Sequence, residues 1–159
     1  MKQYQQEIKW GVIFSIAMLV WMVIERVAGL HDDMIDKHVI YTNGFAIVAI
    51  AVYVFALRSI RNNRPAPYTY KEAFISGVII SLVVAVLSPL TQWITHTFIT
   101  PNFFDNMIAY TVSSGQATLE EAQAYFNFSS YVLQSVIFAF VMGVITTAIV
   151  AIFIRQKPH

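Results

Sequence analysis

The chain has no cysteine. That excludes disulfides, thiolate metal sites and a cysteine nucleophile. It has few charges, 12% of its residues, against about 25% in a soluble domain. It carries no H-E-x-x-H, no G-x-S-x-G and no phosphate-binding loop, so the common hydrolase and nucleotide signatures are missing. No internal repeat is present, and no pattern calls for a cofactor. The net charge of +1 gives no ground for nucleic-acid binding.

What is present is apolar length. Hydrophobic residues make up 57% of the 159 and the mean hydropathy is +0.60, which places the chain in the membrane class as one domain. Lys2 and Lys9 precede an apolar run from Ile8 to Leu30. A signal peptide has an apolar core of about 7–15 residues. This run is longer and lacks a small-x-small site, so it reads as a retained first helix.

Four spans are expected, at about 6–29, 37–60, 70–98 and 130–154, with a helical cap at about 102–128. Gly29 suits the end of the first. The second must begin near Asp36–Val39, because Phe45 to Arg58 alone is only about 21 Å long at 1.5 Å per residue. Thr69 and Glu72 form a T-x-x-E capping box at the start of the third, and Pro89 should kink it. Thr100–Pro101 breaks the helix. Phe103, Phe104, Met107 and Ile108 recur at helical spacing, Gly115 stops that segment, and Thr118 with Glu121 opens another. These two short helices should lie on the membrane surface. Ser129 or Ser130 caps the fourth span. The fold class is all-α, an antiparallel four-helix membrane bundle.

Basic residues set the orientation. With the N-terminus inside, Lys2, Lys9, Arg58, Arg61, Arg64, Lys71, Arg155 and Lys157 are cytoplasmic and only Arg26 and Lys37 are outside. Eight against two is a strong positive-inside bias. Both termini are therefore expected in the cytoplasm, and the cell (inner) membrane is the expected location. The cytoplasmic bases are accounted for by topology and anionic lipid.

Small residues recur every four positions in two spans. Gly77, Ser81 and Ala85 mark the third. Ser135, Ala139, Gly143 and Thr147 mark the fourth. In lipid, close van der Waals approach drives association, so these stripes are expected to pack together or to mediate a homo-oligomer.

Polar groups gather at the outer ends. Glu25, Arg26, Asn43, Ser88, Gln92, His96 and Gln134 form a candidate polar pocket. An ionisable group in a span usually faces a partner or a water-filled cavity. Solvation at headgroup depth is the plainer account. His31, Asp32, Asp36 and His38 carry imidazole and carboxylate groups that suit a divalent metal, though H-D-D-x-x-D-x-H matches no standard spacing and an acidic solvated loop is the commoner explanation.

The chain resembles a family of small bacterial four-helix membrane proteins catalogued as domain of unknown function 4199. The likeness is carried by Glu7–Gly11 (EIKWG), Trp21–Asp32 (WMVIERVAGLHD), His38, Tyr41–Asn43 and Leu87–Phe104 (LSPLTQWITHTFITPNFF). It continues through Ala122–Tyr131 and Met142–Phe153. It implies four spans and a membrane location, and brings no activity or catalytic residue. Three functions stay open, and the small chain, its short cytoplasmic segments and its small-residue stripes fit the first best. The chain is a non-enzymatic accessory or structural component, alone, as a homo-oligomer or in a larger membrane complex. Alternatively it binds or transports a cation, a proton or a small polar ligand in the outer pocket. The third reading is a membrane-embedded enzyme.

Overall fold

The structure, a computed structural model, describes residues 4–156. Lys2 and Lys157 of the charge count lie outside the described residues. The chain is all-α. Among the described residues seven α-helices follow in order: α1 (Gln5–Val27), α2 (Ile35–Thr42), α3 (Phe45–Asn62), α4 (Tyr70–Ile94), α5 (Phe103–Ser113), α6 (Leu119–Tyr125) and α7 (Phe128–Ile154). A π-helical turn, Thr95–Ile99, extends α4. Four stretches are long and apolar enough to cross a membrane: Gln5–Val27, Ile35–Asn62, Tyr70–Ile99 and Phe128–Ile154. Ile47, Val86, Phe138 and Phe153 turn large apolar side chains outward. Such a surface would aggregate in water, and it is the ordinary exterior of a membrane protein.

Helix ends follow local chemistry. Both T-x-x-E sequences close as capping boxes: Thr69 accepts from the Glu72 N–H and Thr118 from the Glu121 N–H, and each glutamate returns the bond. Gly29 (φ +79°) and Gly115 (φ +71°) occupy the left-handed region, where glycine has no Cβ penalty. α7 starts earlier than expected. Its cap is Asn127, whose side chain accepts the Ser130 N–H, so Ser130 is a first-turn donor and not the cap. The second span runs on from α2 to α3 through a tightened turn at Asn43–Gly44, both in the right-handed helical region, where Asn43 Nδ2 donates back to the Val39 carbonyl at 2.6 Å. A Cβ on Gly44 would come 3.2 Å from the Trp21 ring, so the missing side chain lets α1 approach closely. Pro89 lies inside α4, and the departure from α-helix comes later, at Thr95.

α4 is the centre of the assembly and touches α1, α3 and α7. Its broadest contact is with α7. A Cβ on Gly77 would fall 2.2 Å from Thr147 Cγ2, and one on Gly143 would fall 2.3 Å from Ser81 Oγ. The missing side chains are what let the two helices meet. Ser81 Oγ also bonds Tyr53 Oη at 2.7 Å, tying in α3. Ala85 is buried, Ala139 packs against the core, and Ser135 is half-buried with its hydroxyl donating to the Val132 carbonyl. The apolar core joins Tyr53, Leu57 and Ile60 of α3 with Ile80 and Val84 of α4 and Val150 and Ile154 of α7.

A polar cluster near the start of α1 has no counterpart in the expected site. Glu7 is fully buried, pairs with Arg64 and accepts from Ser76 Oγ at 2.9 Å. Nearby, Tyr68 and Gln156 exchange two bonds, Tyr68 N to the Gln156 side chain at 2.9 Å and Gln156 N to the Tyr68 carbonyl at 2.8 Å.

Candidate polar pocket

The pocket is built where α1 ends. Gly29 N–H bonds the Arg26 carbonyl and Leu30 N–H bonds the Glu25 carbonyl. This is the pattern of a Schellman motif, which satisfies the last carbonyls and turns the chain back. The reversal delivers His31 to the side chain of Glu25, six residues earlier. Both are 1% exposed. Glu25 Oε2 accepts from His31 Nε2 at 3.1 Å, and His38 Nδ1, from α2, lies 3.6 Å from the same oxygen. Glu25 Oε1 accepts from Trp21 Nε1 at 2.5 Å, one turn back on α1. The carboxylate is therefore held on one oxygen and approached by two imidazoles on the other.

No lysine or arginine pairs with it among the described residues. Arg26 is adjacent in sequence but pairs with Asp32. Asn106 of α5 clamps the same loop, donating to the His31 carbonyl at 2.8 Å and to Asp32 Oδ1 at 2.9 Å.

The third imidazole comes from the π-helical turn. His96 Nε2 donates to Gln92 Oε1 at 3.0 Å, and its ring stacks on Phe104 at 4.2 Å. Phe103 sits among all three histidines, its ring 5.3 Å from His31, 5.1 Å from His38 and 5.6 Å from His96. Beside them is a cavity of about 180 Å³, lined by His31, His38, Gln92 and His96 together with Met22, Thr42, Thr95, Thr100, Phe103 and Tyr131. That is room for several waters. The Nδ1 atoms of His31, His38 and His96 are buried without a protein partner.

The expected residues divide. Glu25, Gln92 and His96 come together here with His31 and His38. Arg26 is engaged by Asp32. Asn43 and Gln134 are exposed, and Ser88 is buried with its hydroxyl donating to Val84. Asp32 and Asp36, expected beside the two histidines, do not join them. Asp32 is held by Arg26 and Asn106, and Asp36 is exposed on α2. The carboxylate that stands with His31 and His38 is Glu25. Thr95, Thr100, Phe103 and Tyr131 carried no signal beyond their helix ends.

Chemically, a buried carboxylate with two adjacent imidazoles can hold a cation or take up a proton. No curated protein and no solved structure matches the chain. Residues 9–156 match the family described as "Protein of unknown function (DUF4199)". With that match over nearly its whole length, the chain belongs to the DUF4199 family.

Proposed function

We propose that this membrane protein is a ligand-binding component, with an outward-facing pocket that takes a cation, a proton or a small polar molecule. The observation that carries the reading is Glu25. It is buried at the end of a span and, among the described residues, has no lysine or arginine against it. Burying an unpaired charge is expensive, and a site that accepts a positive ligand or a proton removes that cost. In this reading the spans form an antiparallel four-helix bundle with both termini cytoplasmic. α5 and α6 then lie on the outer face, in keeping with eight basic residues on one side and two on the other.

The absence of cysteine makes the test clean. Thr42 lines the cavity. In membranes, Thr42→Cys should react faster with a small cationic thiol reagent than with an anionic one. Glu25→Gln should erase that preference. No reaction in folded protein would mean that water does not reach the pocket, and the reading would fail. Orientation is read in the same way. Asn63→Cys should label from the cytoplasmic side and Gln116→Cys from outside. Labelling of both from one side would overturn it.

The second reading is an accessory or structural component without a ligand, alone or within a larger membrane complex. It is favoured by the outward apolar faces of α3 and α7, which leave surface for another membrane helix. The small-residue stripes do not serve that contact, because Gly77 and Gly143 are filled from within the chain.

A further inference from the structure

We infer that Glu25, His31 and His38 form a binding site for a divalent first-row transition ion such as zinc. The inference rests on the ligand-binding reading above and names the ligand. Its ground is the mutual placement of three donor atoms from three separate segments: α1, the reversed loop and α2. Glu25 Oε2, His31 Nε2 and His38 Nδ1 all lie within 4.8 Å of one another.

The two separations from the carboxylate are those of a coordination sphere. Bonds of about 2.0–2.1 Å at tetrahedral angles put neighbouring ligand atoms about 3.3 Å apart. The two distances to Glu25 Oε2 are 3.1 and 3.6 Å. Only the first makes a hydrogen bond. His38 Nδ1 is buried, unpartnered and close to a carboxylate, and a metal ion would satisfy it. At His31 the ion would take the place of the Nε2 proton, and the ring would carry its proton on Nδ1, which has no protein acceptor among the described residues.

The surroundings also fit. Metal-ligating carboxylates are normally fixed by a second hydrogen bond, and Trp21 Nε1 supplies one to Glu25 Oε1. Asn106 fixes the loop that carries His31. Hard cations such as calcium take six to eight oxygen ligands, whereas two imidazoles and one carboxylate suit zinc, iron or a neighbouring transition ion. Three protein ligands leave an open position, and the cavity adjoins both histidines. A divalent ion with one carboxylate keeps a charge of about +1, so water, hydroxide or a small anion would complete the sphere.

The test uses full-length protein in mild detergent, stripped of metal with a chelator and titrated with cobalt(II) as a spectroscopic stand-in. We expect one ion per chain, intense visible bands of a low-coordinate site, and displacement by zinc. Losing even an outer hydrogen-bond partner of a metal ligand lowers affinity by about 10–100-fold. Glu25→Gln, His31→Gln and His38→Gln should each therefore weaken binding at least tenfold, while the exposed Asp36→Asn should not change it. Weak bands like those of aqueous cobalt, or an equal loss with Asp36→Asn, would overturn the site. If a ligand variant does not yield folded protein, the band intensity of the unaltered protein decides. Charge-selective labelling of Thr42→Cys without a cobalt spectrum would remove the metal and keep the pocket. Absence of both would remove the two together.

Discussion

Gly77 on α4 faces Thr147 on α7 so closely that a Cβ would lie 2.2 Å from Thr147 Cγ2 and 2.3 Å from its Oγ1. Overpacking a tight contact costs about 1–3 kcal/mol. Gly77→Ala should fall in that range despite alanine's better helix propensity, and Gly77→Leu should prevent assembly. Thr147→Ala removes the two closest atoms, so the double variant should be more stable than the sum of the single changes. Denaturant unfolding of the four proteins in detergent checks this. Strict additivity would mean that the helices separate slightly at this point.

Glu7 is fully buried and bound by Arg64 and Ser76. Removing one partner of a buried ion pair costs about 3–5 kcal/mol, because the other charge is stranded. Arg64→Ala should be destabilising by about that amount. Adding Glu7→Gln should recover much of the loss, since the amide oxygen still accepts from Ser76. The check is a double-mutant cycle on unfolding free energy. A change in Arg64→Ala below about 0.5 kcal/mol, the scale of an exposed pair, would show that water reaches Glu7.

Gly29 adopts φ +79° and the nearest atom to a Cβ there is Met34 Cε at 3.7 Å, so space does not forbid a side chain but the backbone does. Gly29→Ala should cost about 1–2 kcal/mol and loosen the turn that carries His31. Gly115 has φ +71° and open space. Gly115→Ala should cost a similar amount and leave the pocket unchanged. Trp21 donates to Glu25 and reports the difference. With Trp10 and Trp93 replaced by Phe, its fluorescence should become more quenchable by acrylamide in Gly29→Ala only.

Depth along a helix was legible in the sequence, and direction around it was not. Apolar length located the spans, T-x-x-E located two helix starts, and Gly29 and Gly115 located two ends. Each signal is local. Glu25, Gln92, Asn43 and Gln134 were grouped because they share a depth. Two of them face the pocket and two are exposed. A span that is apolar on every side, as α7 is, has no periodic polar face from which to read an angle. Glu7 and Arg64 were missed because they are 57 residues apart, and each alone looks like an ordinary interfacial charge. The tightened turn at Asn43–Gly44 left no signal because glycine is common in membrane helices and both residues keep helical backbone.

Tyr68 gives a pH dependence of definite sign. It lies between two spans, its hydroxyl is buried without a well-formed hydrogen bond among the described residues, and burial outweighs the nearby Ser76 hydroxyl and raises its pKa above the ordinary value of 10.0. Below about pH 10, the ordinary tyrosine value, the phenol keeps its proton in both folded and unfolded chains, and no slope arises. Above it the unfolded chain releases the proton while the folded chain retains it. The unfolded state then binds fewer protons, and stability falls as pH rises. Tyr68→Phe should remove that share of the alkaline loss. Near neutral pH it should be neutral or up to about 1 kcal/mol more stable, because an unsatisfied hydroxyl is removed. Unfolding both proteins between about pH 8 and pH 11, a range that brackets the phenol value, separates the outcomes. Curves that diverge only at the alkaline end place the ionisation at Tyr68. Parallel curves would mean that water already reaches the hydroxyl past Gln156, whose backbone N–H and side chain pair with the Tyr68 backbone.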